Sequence, residues 1–414
     1  MKRTYIFIVV LLLSGTALFA QAPDMSFYTE EYNRSDTTPT ELLDILKMVQ
    51  EDGLTGIGDF YQNAIRVFIQ RLPNFSAQRY RTEIEQITAL LFRGITAEKH
   101  KPAAPFVWQL IRYFDIATAP NDGILMYEGI ITLGEIGAKE FANYVVAYLE
   151  TYNERASSNL QVRAQVQRVV RGLVRTLEVL GEPIGVKPVF YTSIGWYDND
   201  IKAEAAASLQ RLMDSLGEVI GDIIASFIRD PFNIPSIKLT AWQYLLQTHI
   251  SDDAKGKVAA VALETSYTFI ATSRDSQNDL KMMRMSAIDI MRVTGIKDDQ
   301  VYAFLERTYR EAFDSPNTDF EIIVQVVRTL SINKTDEAIE LLTEFLRGLH
   351  SRKRSGPWGT VERDIMAMVI LSISTTGTQN RSTIQLLTVI SRSAVYTEAE
   401  QAWARNALNT LNKR

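Results

Sequence analysis

Helix-ending turns recur along this chain at a nearly constant interval, and that recurrence limits the fold more than any single motif does. Leu-rich or Ile-rich stretches run into a turn at Gly94, Gly137, Gly181, Gly217, about Ile250, Gly295, about Asn333, Gly377 and about Asn412. The mean step is about 40 residues, with individual steps of about 33 to about 44. Each step divides into two helices, as in 138–152 with 161–180 or 297–313 with 318–331. The apolar positions agree. Ala205, Leu209, Leu212, Met213 and Leu216 share one helical face, as do Ala338, Leu341, Leu342, Phe345 and Leu349. Asp298 and Thr335 stand where an N-cap belongs. No comparable set of alternating β-branched runs bounded by hairpin turns is present. The chain reads as all-α, an α-α superhelix of about nine helical hairpins preceded by a capping helix near Pro39–Asp52. One hairpin cannot bury its apolar face alone, so neighbours stack and each contacts only the next. The expected outcome is a curved array with an extended groove. Residues 39–414 contain no Pro/Gly/Ser-rich linker and are read as one array.

Some junctions carry a more specific pattern. Leu133-Gly134-Glu135-Ile136-Gly137 followed by Ala138-Lys139-Glu140-Phe141 resembles the HEAT-repeat junction, where the second helix of one unit ends and the first helix of the next begins. Leu180-Gly181-Glu182-Pro183 is a shorter copy, and Ala203-Glu204-Ala205-Ala206-Ala207-Ser208-Leu209 is similar to an Ala-rich second helix. First helices start alike at Phe141 with Tyr144, Val301 with Phe304, Ile339 with Leu342, and Ile384 with Leu387. The resemblance covers roughly 57–414 and is degenerate: most units lack the Gly-Asp/Glu turn. It implies a HEAT-like, armadillo-type solenoid of bacterial type whose second helices line the concave side.

The N-terminus reads as an export signal. Lys2 and Arg3 precede the apolar run Ile6–Phe19, and small residues follow in Ala17-Leu18-Phe19-Ala20-Gln21-Ala22. Residues 1–20 are assigned as the signal peptide and 21–38 as a flexible segment. The run is short of the ~20 apolar residues needed to span a bilayer, and a retained anchor is the alternative. No later stretch reaches that length, so the mature chain is expected not to span a membrane. Loss of 1–20 leaves 42 Lys/Arg against 49 Asp/Glu, a net charge of −7. An acidic exported protein is a poor match for nucleic acid. The periplasm is the expected location, with the extracellular space possible. Charge is uneven: 350–414 carries +5 and the mature remainder −12.

Several clusters are candidates for partner contact. Arg352, Lys353 and Arg354 precede Trp358 in Ser351–Gly359, read as a loop whose cations would pair with phosphate or carboxylate while Trp supplies a flat contact. Arg168, Arg171 and Arg175 share a helix face, with Glu178 placed to pair with Arg175. Connections near 152–161, 273–279 and 350–360 are expected to be long loops on one edge of the array. Trp196-Tyr197-Asp198-Asn199-Asp200 pairs aromatics with carboxylates but lacks an EF-hand's Gly and terminal Glu. Met282, Met283 and Met285 fit a core stripe or an adaptable surface.

Enzyme chemistry finds little support. The absence of cysteine excludes thiolate metal sites and Cys nucleophiles, and three scattered histidines, His100, His249 and His350, argue against a His-rich centre. Walker A, H-E-x-x-H and G-x-S-x-G are absent; Gly56-Ile57-Gly58 lacks the third glycine of a dinucleotide loop, and Ser331-Ile332-Asn333-Lys334 has no companion motif. No cofactor or metal is expected. The sequence reading is a non-enzymatic protein-binding or scaffold module of the cell envelope. The alternative is a secreted α/α-toroid hydrolase using a carboxylate pair on polysaccharide.

Overall fold

The computed structural model describes residues 25–117, 122–156, 160–314, 319–356 and 358–413. Residues 1–20, read from the sequence as a signal peptide, lie outside them. The described residues form twenty α-helices with four short 3-10 turns and no strand. Contacts divide the chain into two compact units, Met1–Ser215 and Leu216–Arg414, at a point where the sequence offers no linker.

The first unit holds α1 (Met25–Asn33), α2 (Pro39–Glu51), α3 (Gly58–Arg71), α4 (Arg81–Ala97), α5 (Ala104–Tyr113), α6 (Ile124–Glu135), α7 (Ala142–Glu154), α8 (Leu160–Leu180), α9 (Val186–Ile194) and α10 (Asn199–Leu216). The second holds α11 (Val219–Arg229), α12 (Pro235–Leu246), α13 (Asp252–Thr268), α14 (Arg274–Thr294), α15 (Val301–Phe313), α16 (Phe320–Asn333), α17 (Asp336–Ser355), α18 (Thr360–Thr376), α19 (Arg381–Arg392) and α20 (Glu398–Asn412). Within each unit odd helices pack on odd and even on even: α2 on α4 on α6 on α8 in the first, α12 on α14 on α16 on α18 on α20 in the second. This two-layer stacking of consecutive hairpins is a helical-repeat arrangement.

Ten pairs are present among the described residues, where nine hairpins and a lone capping helix are expected from the sequence. The extra helix is α1, which occupies part of the segment assigned as flexible. Nine residues do not make a stable helix alone. Tyr28 and Tyr32 hold it by burying against α2 and α3: the Tyr28 hydroxyl donates to Asp52 at the end of α2, and the Tyr32 ring meets Phe60 of α3 edge-on at 6.1 Å. Arg71 closes its C-terminus by donating to the carbonyls of Tyr32 (3.2 Å) and Asn33 (2.7 Å).

The two units turn the chain differently between hairpins. In the first, a left-handed residue is followed by a 3-10 turn three times over: Lys99 with Lys101–Ala103, Gly137 with Lys139–Phe141, and Gly181 with Pro183–Gly185. Gly94, assigned to a turn on sequence, sits inside α4, where a Cβ would lie 2.2 Å from the Tyr61 ring. It is a packing glycine, and the turn belongs to Lys99. In the second unit side-chain caps set the helix starts. Ser251 accepts from the Ala254 amide, Thr335 from Ala338 as expected, Asn380 from Ser382 and Thr383, and Thr397 from Glu400. Asp298 accepts from the Gln300 amide at 2.9 Å, just before α15.

Two expected loops are helical. Residues 274–279 form the first turns of α14, capped by Ser273 accepting from Ser276. Residues 350–355 complete α17.

Candidate partner-binding surfaces

The basic stretch ahead of Trp358 is the last turn of α17, where cations oppose the negative end of the helix dipole. Most of its charge is committed inside the fold. Lys353 is 12% exposed and reaches Oε1 of the fully buried Glu400 at 3.2 Å; Trp358 Nε1 donates to the same oxygen at 3.2 Å. Lys353 Nζ also stands 4.7 Å from the centroid of the Trp358 ring. Glu400 Oε2 accepts from the Thr397 amide at 2.8 Å. Burial pushes the Glu400 carboxyl up, but the Thr397 amide and the Lys353 ammonium outweigh it and hold the group below its ordinary value. Arg352 spreads over the Phe313 ring at 4.5 Å and pairs with Glu362 at 3.5 Å. Arg354 is exposed. Three of the four expected contact residues therefore join helices instead of projecting from a loop, because their partners lie far along the chain.

The arginine face of α8 has the same fate. Arg168 donates to the Asp122 carbonyl at 2.6 Å, Arg171 pairs with Glu204 on α10 at 3.0 Å, and Arg175 with Glu135 on α6 at 3.7 Å. Glu178 accepts from Nε and Nη2 of Arg211, at 2.5 and 2.8 Å, instead of pairing with Arg175. These ion pairs bridge successive even helices and are partly exposed, so each contributes about 0–1 kcal/mol.

Trp196 and Asp198 are engaged within the fold as well, around the buried Tyr197, although Asp198 itself is exposed. The two rings stack at 4.4 Å, Trp196 Nε1 donates to the Tyr152 carbonyl, Tyr197 donates to Asn153, and Asp198 pairs with Arg163. The methionines divide: Met283 is fully buried and Met282 is 54% exposed. Among the described residues no group of three or more His, Asp and Glu converges as a metal site, and no helix is long and apolar enough to cross a membrane.

Two of the concave features among the described residues have substantial apolar lining, and sequence reading missed both. In the first unit, a cleft of about 470 Å³ lies between the segment after α5, α7 and α8. Ile116, Val162 and Val166 form apolar wall; Asp115, Tyr148 and Arg155 supply polar atoms. Asp115 is committed, accepting from the Ala117 amide and from the Tyr148 hydroxyl, each at 2.9 Å. Burial, aided by Asp115, pushes the Tyr148 phenol well up.

In the second unit, a groove of about 570 Å³ runs across the even layer on α16, α18 and α20. Met368, Leu371 and Trp403 line it, with Ala367 and Ala407 leaving room, and Arg328 and Asn406 are polar members. Leu371 is 64% exposed. Arg328 is exposed and has no ion pair among the described residues. No sequence pattern marks this groove, since each helix contributes only a few positions; Trp403 on an otherwise polar face of α20 is the one signal present.

No protein-family model matches the chain, and no curated protein does. Among solved structures it is similar to a circular tandem repeat protein with novel repeat topology and enhanced subunit contact surfaces. That likeness is 11% identical, covers 91% of this chain and 82% of that one, and has a TM-score of 0.17. A likeness of that order carries no argument about fold or chemistry.

Proposed function

We propose that the chain is an exported, HEAT-like helical-repeat protein that binds a protein segment in the groove across α16, α18 and α20, acting as a recognition or scaffold module of the cell envelope. The groove itself carries this reading. Leu371 and Trp403 offer apolar anchors on neighbouring helices, the form in which a few residues dominate binding. Arg328 at the same groove, and the positive balance of 350–414, fit an apolar segment that carries a carboxylate. The thrice-repeated junction in the first unit supports the HEAT-like assignment, and Lys2, Arg3 and Ile6–Phe19 support export. For the hydrolase alternative the cleft beside α7 offers one carboxylate, already bound to Tyr148, where paired-carboxylate hydrolysis needs two; the hollow lined by Glu218, Asp222 and Asp253 is the site where that alternative would be sought.

The test is a photo-crosslinking residue at position 371 of the full chain, produced in its native envelope. A discrete adduct that disappears with Trp403→Ala and shrinks with Arg328→Glu is the expected result. An adduct insensitive to both changes, or none at all, overturns the assignment of the groove.

A further inference from the structure

The bend between α11 and α12 is built in an unusual way. Lys238, fully buried on α12, reaches back so that its ammonium donates to the Ile228 carbonyl at 2.5 Å and to the Asp230 carbonyl at 2.6 Å. Asn233, 5% exposed, donates to the Phe227 carbonyl at 3.0 Å. Asp230 accepts the Phe232 amide at 2.9 Å and takes the Asn233 amide on its carbonyl at 3.2 Å. The end of α11 thus has its carbonyls satisfied from the inner side, by side chains whose desolvation is a standing cost. Toward solvent the bend presents Pro231, Phe232 and Ile234, with Phe232 92% and Ile234 57% exposed. The next hairpin tip stands beside it: Lys238 Nζ is 5.1 Å from the centroid of the Phe269 ring, and Ile270, the following residue, is 85% exposed.

We propose that the paired tips of α11–α12 and α13–α14 dock on a lipid bilayer, with Phe232, Ile234 and Ile270 entering its interface. Three features favour lipid over a protein groove. The apolar groups sit on exposed bends and line none of the clefts described above. The carbonyls that end α11, those of Phe227, Ile228 and Asp230, and the Phe232 and Asn233 amides are paired internally, which lowers the cost of taking this part of the bend out of water. Arg229 and Arg274, both exposed, stand at the roots of the two tips, placed for lipid headgroups; Asp230 and Asp275 beside them leave each root near neutral, so little net charge accompanies the apolar groups. A surface-lying contact of a few side chains is reversible, unlike a spanning helix.

The chain has no cysteine, so Phe232→Cys gives a single labelling site. With an environment-sensitive fluorophore at 232, vesicles of equal phosphatidylcholine and phosphatidylglycerol should shift the emission to the blue. A nitroxide on the lipid acyl chain should quench it. Ile270→Ser in the same chain should weaken vesicle partitioning roughly tenfold, and Arg229→Glu should weaken it for the anionic mixture but not for phosphatidylcholine alone. In unlabelled protein, flotation with the vesicles should be lost on Phe232→Ser. Thermal unfolding should stay unchanged in every variant, because the replaced side chains are solvent-facing. An emission indifferent to both vesicle types overturns the proposal. So does a shift that grows with protein concentration without lipid, which assigns the tips to a second copy, or one that needs an added soluble protein.

Discussion

Replacing Glu400 with Ala removes the acceptor that gathers Lys353, Trp358 and the start of α20. The pair is largely shielded from water, with Glu400 fully buried and the Lys353 side chain 12% exposed. Breaking such a pair by deleting one partner costs about 3–5 kcal/mol, since the other charge stays behind unpaired. Lys353 keeps some access to water and to two aromatic faces, so the lower end of that range applies, about 3 kcal/mol. The capping box loses its acid as well, adding a fraction of the ~1 kcal/mol that a full cap contributes. In a unit of about 200 residues this lowers the midpoint of its thermal transition by roughly 6–14 °C. Circular dichroism of the full chain measures it. The decisive readout is a double-mutant cycle: Lys353→Met with Glu400→Ala should be milder than Glu400→Ala alone, because no orphan ammonium remains. The pH dependence has a fixed sign. A carboxyl held below its ordinary value contributes stability that is present above the unfolded-state pKa and lost as pH falls through the lower folded value. Glu400→Gln should flatten that acid limb. A cost for Glu400→Ala below about 1 kcal/mol, or a double variant whose loss equals the sum of the single losses, would refute the lock.

Other substitutions probe the rest of the fold. Gly94→Ala places a methyl against the Tyr61 ring and should cost about 1–3 kcal/mol in urea unfolding, whereas a turn glycine at a relaxed site would be nearly neutral. Lys334→Gly relieves a left-handed backbone (φ 55°) and should raise the urea midpoint by about 1 kcal/mol equivalent. Arg171→Ala should change stability by less than about 1 kcal/mol, and a larger loss would show that the ladder on α8 is more than a surface feature. Lys238→Met keeps the volume but orphans two carbonyls, and should cost about 2–4 kcal/mol by the same assay.

Helix content and pairing were legible because an apolar stripe of period 3.6 and a left-handed Gly leave local marks; Gly137, Gly181, Gly217, Gly295 and Gly377 all take positive φ. The same rule misplaced one boundary. The turn expected at Gly94 falls at Lys99 instead, since close helix approach and a left-handed turn both admit glycine, and only the neighbouring Tyr61 separates the two uses. α1 was missed because its stability comes from contacts with α2 and α3, not from its own composition. The candidate sites were legible as charge but not as charge partners. Arg352, Lys353 and Arg354 look like a solvated run until Glu400, 47 positions past Lys353, is folded against it. The groove at Trp403 and Leu371 exists only once three non-adjacent helices lie side by side.

The bend at Asp230 divides labour among its residues. Lys238 and Asn233 set the path of the backbone from within, so positions 231, 232 and 234 carry no hydrogen-bonding duty that the described contacts assign to their side chains. Sequence at those positions is therefore free to drift, or to be rewritten by an engineer, while the turn survives. One scaffold could be readdressed to a charged, apolar or aromatic target by changing three side chains, with the buried lysine left in place.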